Sequence, residues 1–224
     1  MSFLNASTEV KTTTILKPHI TKTQLLALLH NPSAMLSLNP IIKSHTALPA
    51  SSSTVFFSRV APENKPPATG PEVTIPVYAI VESSTPETAE GGGTWRGGWA
   101  KKFIPEEIHY ETSMQPTSDG MVTITHAPMG VHSVTKWKVK DRKEGEGLVL
   151  EKTGKVTSNR MLMGFIKTTI QGSYEKLAND FVVELERMVE EERVKKEEAK
   201  QEEVKEEKVP VNVEGNEVKV EAVA

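Results

Sequence analysis

Apolar and polar residues alternate along much of the chain between residues 41 and 169, with turn-forming residues between the alternating stretches. A period of two is typical of β-strands that bury one face. Asp119-Gly120 is expected to form a tight hairpin turn, because this dipeptide readily adopts positive φ angles. With few helical signals between them, the strands are expected to form an antiparallel meander. The pattern predicts strands at residues 41–47, 54–60, 72–81, 94–103, 107–114, 121–125 continuing through 131–139, 148–150 and 155–169.

Upstream of this region the pattern predicts one strand and two short helices. Residues 9–16 are rich in threonine and β-branched residues, which favours a strand. Thr21 and Gln24 have the spacing of a capping box, in which each side chain satisfies a free backbone N–H group of the other residue. Asn31-Pro32 ends the helix that follows and can begin a second one, through residue 38, because proline is tolerated at a first helical position.

A long amphipathic helix is predicted downstream, with Ser173 as its N-cap. Its apolar residues recur at steps of three and four, which places them on one face of a helix. Beyond this face the sequence becomes a mixture of Glu and Lys, and Pro210 interrupts any helix. The apolar face consists of Tyr174, Leu177, Phe181, Leu185 and Met188.

These elements predict one α+β domain at residues 8–190, in which a curved antiparallel sheet wraps around the long C-terminal helix. About 180 residues are enough to bury a sizeable core without disulfides. Residues 191–224 are charged and contain few residues to bury, so the sequence predicts a solvated helix or a disordered tail there.

Composition excludes several classes of function. The chain has no cysteine, which rules out disulfides and thiolate metal sites, and it has no HExxH motif, so we expect neither a metal nor a cofactor. Its formal net charge is −3 and its basic residues are scattered, which argues against nucleic-acid binding. No apolar run approaches the ~20 residues needed to cross a membrane, and no signal peptide is evident. The expected location is the cytoplasm, with the nucleus as the alternative.

Three stretches carry a family resemblance: LLALLHNPSAMLSLNPIIKSH, THAPMGVHSVTKWKV and NRMLMGFIKTTIQGSYEKL. In these stretches and in the order of its elements, the chain resembles START-like (SRPBCC) domains, which have the helix-grip fold, and among them an uncharacterised fungal family. The resemblance implies a cavity between the sheet and the C-terminal helix. Related domains use that cavity for lipids, sterols, hormones or aromatic polyketides, and some contact chaperones. None of the stretches is a catalytic motif, so the resemblance concerns the fold more than an activity.

The candidate ligand pocket contains His126 as its polar residue, either as an anchor for a ligand carboxylate or hydroxyl or as a histidine satisfied by the backbone. Residues 128–130 are interpreted as a bulge, which would put Trp137 on the same face as His126. Phe165, at the end of the last strand, and Phe181, on the helix, are expected to face the cavity from opposite sides. The pocket is predicted to be lined by Trp99, Ile124, His126, Trp137, Met163, Phe165 and Phe181.

The favoured function is therefore the non-catalytic binding or transfer of a hydrophobic small molecule. One alternative is an interaction module that binds a protein partner through the C-terminal helix and the charged tail. The other is a cyclase- or hydrolase-like enzyme that uses the same cavity, for which only His126, Arg160 and Glu111 offer ionisable groups. No residue is assigned a catalytic role.

Overall fold

The computed structural model describes residues 5–66, 75–83 and 105–207. In this part of the chain, seven strands form one antiparallel sheet in the order β1-β7-β6-β5-β4-β3-β2. The α+β class and the antiparallel sheet with a long C-terminal helix are confirmed. The strands are β1 Asn5–Ile15, β2 Ile42–Ala47, β3 Val77–Ser83, β4 Glu107–Thr117, β5 Gly120–Ala127, β6 Val131–Asp141 and β7 Leu148–Asn159.

Within the described residues, four α-helices accompany the sheet: α1 Lys22–Leu29, α2 Pro32–Ser37, α3 Ala50–Ser58 and α4 Arg160–Glu207. Thr21 and Gln24 form a capping box at the start of α1. The Asn31 side chain accepts a hydrogen bond from the backbone N–H of Ala34 at the start of α2. These side chains satisfy backbone donors that the first helical turn leaves free.

The prediction of a strand at residues 54–60 is wrong, because these residues belong mostly to α3 and the turn that follows it. Their β-branched and aromatic residues favour strands intrinsically. In the folded chain, however, α3 lies against the sheet with Phe56 completely buried. Tertiary burial outweighs the local preference here.

The predicted beginning of the C-terminal helix is also wrong. β7 ends at Asn159 and α4 begins at Arg160, so two thirds of the predicted strand 155–169 is helix and Ser173 lies inside α4. Asn159 caps the helix, since its Oδ1 accepts a hydrogen bond from the Leu162 N–H at 2.8 Å. β7 is moreover continuous through residues 151–154, where the sequence suggests a turn.

Residues 128–130 reverse the chain and do not form a bulge within one continuous strand. Met129 and Gly130 adopt positive φ angles of 59° and 72°, and β5 and β6 form a hairpin on either side of them. His126 lies opposite His132, and Met121 lies opposite Trp137. Directly opposed residues share a face of the sheet, so Trp137 lies on the other face from His126.

The hairpin turn between β4 and β5 is confirmed, with Thr117 paired to Gly120. Positive φ angles are not the reason for the glycine, because Gly120 is not among the positive-φ residues. A Cβ atom at this position would lie 1.9 Å from the backbone oxygen of Trp137. The close approach of β6 therefore requires glycine here.

Helices pack on both faces of the sheet. On the inner face, which we define as the one facing α4, Trp137 packs against Phe181 with ring centroids 5.4 Å apart. On the outer face, Ile124 and Val134 form a core with Phe56 of α3. The central strands thus contribute to two separate cores.

Contacts divide the chain into two compact units, Met1–Glu186 and Arg187–Ala224. The first contains the sheet and the part of α4 that packs on it, with Phe181 and Leu185 fully buried. In the second unit, exposed side chains form ion pairs within the helix, such as Arg193 with Glu190 and Glu197.

Candidate ligand-binding site

The predicted pocket residues do not form one cluster. Trp137 and Phe181 pack together on the inner face. Ile124 is fully buried in the outer-face core beside α3, and the His126 ring lies edge-on to Phe56 at 4.6 Å. The prediction that Ile124 and Trp137 line the same pocket is therefore wrong. Trp99 lies outside the described residues, as do the predicted strand 94–103 and residues 72–74.

Met163 and Phe165 belong to α4 and not to the last strand. Met163 is buried with Val156 and Ile166 between β7 and the first turns of the helix. Phe165 is half-buried. Phe165 and Phe181 therefore do not approach a cavity from opposite walls, because both are carried by the same helix.

The inner face contains a buried cationic side chain that the sequence interpretation missed. Lys152 projects from the middle of β7 and is only 2% exposed. Its Nζ lies 3.9 Å from the ring centroid of Tyr174 on α4 and 4.8 Å from that of Trp137 on β6. Attraction between an ammonium group and these ring faces partly offsets the loss of water.

No acidic side chain forms an ion pair with Lys152 in the part of the chain that the structure describes. Its polar contact there is with the backbone oxygen of Tyr174, at a long 3.5 Å. Burial disfavours the charged form and lowers the pKa of the Lys152 amine to about 7. Near neutral pH, this amine can therefore gain or lose a proton.

Tyr174 holds the helix against the sheet beside this lysine. Its hydroxyl lies 2.6 Å from the Thr135 hydroxyl on β6. A Cβ atom at Gly154 would lie 2.0 Å from the Tyr174 oxygen, so the tyrosine occupies the space above that glycine. Burial raises the pKa of Tyr174, and the phenol stays protonated as a hydrogen-bonding group.

A second group of polar residues lies on the outer face around His126. The Nδ1 atoms of His126 and His132 are 3.0 Å apart, and their rings are stacked. Glu111, opposite His126 on β4, forms an ion pair with Arg59, the residue that follows α3. Burial, together with the charges of His132 and Arg59, lowers the pKa of His126 to about 4. His126 is therefore neutral at physiological pH.

This outer-face group does not contain all three ionisable residues proposed for an enzyme. Glu111 is engaged by Arg59, and Arg160 is the exposed first residue of α4. Among the residues that the structure describes, no group of three or more His, Asp or Glu could hold a metal ion. No helix in these same residues is long and apolar enough to cross a bilayer.

A sequence signal for Lys152 exists but depends on recognising β7 as one strand. Buried positions alternate along it as Leu148, Leu150, Lys152, Gly154 and Val156. A lysine that alternates with the same period as the buried apolar residues of a strand lies on their face, and is therefore expected to be buried. When residues 148–150 and 155–169 are taken as two separate strands, Lys152 falls between them and this alternation is lost.

Comparison with known proteins places the chain in a family. The model of DUF7053, a domain of unknown function, matches residues 5–187. The chain belongs to this family. An uncharacterised protein from Rhizobium leguminosarum of solved structure is similar at a TM-score of 0.42 and 10% identity, with 82% of this chain and 97% of that chain covered. The search of curated proteins gave no match.

Proposed function

We propose that this DUF7053 chain binds a hydrophobic small molecule with an acidic end group between the inner face of the sheet and α4. The observation that carries the proposal is Lys152, a fully buried amine between two aromatic rings with no carboxylate partner in the described part of the chain. A buried charge without an ion-pair partner is unfavourable, so such a group in a core suggests a role beyond packing. A ligand carboxylate would supply the missing partner.

The architecture supports a helix-grip assignment. An antiparallel sheet faces a long C-terminal helix, and that arrangement is compatible with the START-like resemblance of the sequence. The proposed site lies where that resemblance implies a ligand cavity. Apolar and aromatic side chains dominate this interface, including Trp137, Phe181 and Leu185, so the rest of the ligand would be hydrophobic.

Entry of the ligand requires part of α4 to move, and its first half is suited to that. Gly164 and Gly172 lie inside the helix, and each interior glycine costs ~1 kcal/mol relative to alanine. The hydroxyls of Thr168 and Ser173 donate hydrogen bonds to helix carbonyls three or four residues earlier, an arrangement that weakens helices slightly. Bending in this segment would lift Tyr174 from Gly154 and open the interface around Lys152.

The test is a displacement assay with an apolar fluorescent probe that competes with fatty acids. We expect a long-chain fatty acid to displace the probe more strongly than the alcohol of the same chain length. Lys152→Met keeps the length and apolar volume of the side chain but removes the amine, and it should abolish this preference. Lys138→Met, on the exposed outer face of the neighbouring strand β6, is the matched control and should keep it.

Proton uptake gives an independent measurement. Pairing with a carboxylate favours the charged amine, so binding near pH 8 should take up close to one proton in the wild type and none in Lys152→Met. Calorimetry in two buffers of different ionisation enthalpy measures this number. If the wild type binds no probe, or if acid and alcohol compete equally, the proposed function is wrong.

Other expectations from the sequence stay predictions. They are a partner for the charged tail, a cyclase- or hydrolase-like activity and a cytoplasmic location. No specific contact among the described residues favours any of them over ligand binding.

A further inference from the structure

We propose a second, separate site on the outer face of the sheet that binds a phosphate group. It is a groove of about 450 Å³ between β1, β7 and β6, with Asn64 among the residues that line it. The groove lies on the opposite side of the sheet from Lys152, so this inference does not depend on the proposed function.

The register of the three strands sets the arrangement of charges. Thr153 on β7 lies directly between Lys11 on β1 and Lys136 on β6. Lys155 is two residues further along β7, between Glu9 and Val134. Paired residues share a face, and neighbouring strands are ~4.8 Å apart. Three lysines of one face therefore lie at positions next to Thr153.

The charges in the groove are not balanced by the protein. Neither Lys136 nor Lys155 forms an ion pair in the part of the chain that the structure describes. Lys11 lies 3.4 Å from Glu151, but that carboxylate also pairs with Lys140 at 2.8 Å. Glu9 is the one acidic residue among those lining the groove. The lining therefore has an excess of positive charge.

The donors fit a phosphate better than a single-charged anion. Lysine ammonium groups, a threonine hydroxyl and the Asn64 amide all donate hydrogen bonds, and a phosphate offers several acceptor oxygens with up to two negative charges. The half-buried Asn64 and the buried Val134 limit the groove beside the lysines. A phosphate on a small organic group matches both this polar set and the apolar wall.

The experiment titrates the full-length protein with inorganic phosphate, with glycerol phosphate, and with phosphatidylcholine vesicles that contain phosphatidic acid. We expect saturable binding of glycerol phosphate that weakens as salt is raised. The double variant Lys136→Ala/Lys155→Ala should bind about 100-fold more weakly, since it removes two charged hydrogen bonds and each is worth about tenfold. Thr153→Val should weaken binding while leaving the charge unchanged.

Lys138→Ala is the matched control, because Lys138 lies on the same strand and the same face as Lys136 but does not line the groove. It should change the affinity less than about twofold, as expected for a charge outside the contact. An equal loss in Lys138→Ala would show attraction to general surface charge and would overturn the proposal. Binding to vesicles without binding of either soluble phosphate would also overturn it, in favour of a membrane surface.

Discussion

Replacing Lys152 by methionine should change how the stability of this protein depends on pH. In the folded chain, burial lowers the pKa of the amine from 10.5 to about 7. A difference of this size corresponds to about 5 kcal/mol at ~1.4 kcal/mol per tenfold change in proton affinity. Below pH 7 the amine is protonated in both states, and the folded chain bears the whole unfavourable contribution of a buried charge.

Above pH 7 the folded chain loses the proton while the unfolded chain keeps it. Stability therefore rises with pH until the unfolded amine also titrates, near 10.5. Integrating between pH 7 and pH 9 gives a gain of about 2 kcal/mol in the wild type. Lys152→Met lacks this contribution and should be the more stable protein at pH 7, because an apolar side chain replaces an unpaired buried charge.

Urea unfolding followed by far-ultraviolet circular dichroism measures both free energies. The quantity to compare is the difference in free energy of unfolding between wild type and variant, measured at pH 7 and again at pH 9. Contributions from the other titrating groups are common to both proteins and cancel in this difference. We expect this difference to shrink by about 2 kcal/mol at the higher pH. A difference independent of pH would refute the reasoning, since it would mean that Lys152 is either solvated or paired in the folded protein.

Three further predictions concern other parts of the structure. Gly154→Ala should lower stability by about 1–3 kcal/mol because the new methyl group meets Tyr174, whereas Gly164→Ala, with open space around it, should leave stability equal or slightly higher; equal losses in thermal unfolding would contradict this. Since burial keeps the pKa of His126 below that in the unfolded chain, stability should fall as pH drops from about 6.5 towards 4, and His126→Phe should show less of this fall in urea unfolding. Truncation before Arg193 should change the melting temperature by only a few degrees, because the removed side chains up to residue 201 are exposed; loss of cooperative unfolding would show that the tail is part of the folded core.

Local rules predicted the parts of this fold that local interactions determine. The capping box at Thr21 and the cap at Asn31 follow from hydrogen bonds within four residues. The buried Phe181 and Leu185 follow from helical spacing. Each of these features was visible in a short window of sequence.

Features decided by distant contacts were not predicted. The sequence of α3 favours a strand, and it is helical where Phe56 reaches the outer face of the sheet. Residues 160–169 contain threonine and isoleucine, which also favour strands, yet the Asn159 cap begins a helix there. The grouping of His126 and Trp137 in one pocket was wrong for the same reason. The face on which Trp137 lies depends on whether residues 128–130 continue the strand or reverse the chain.

The pairing of the first strand with the last has a consequence for how the chain folds. Asn5 pairs with Asn159 and Ile15 with Val149, so β1 cannot pair with β7 until nearly all of the sheet has been synthesised. Pairing over such sequence separation slows folding, because a long loop must close before the contacts are gained. Among the strands of this sheet, the threonine-rich β1 is synthesised first and its partner β7 last. The sheet can therefore become complete only after β7 has been synthesised.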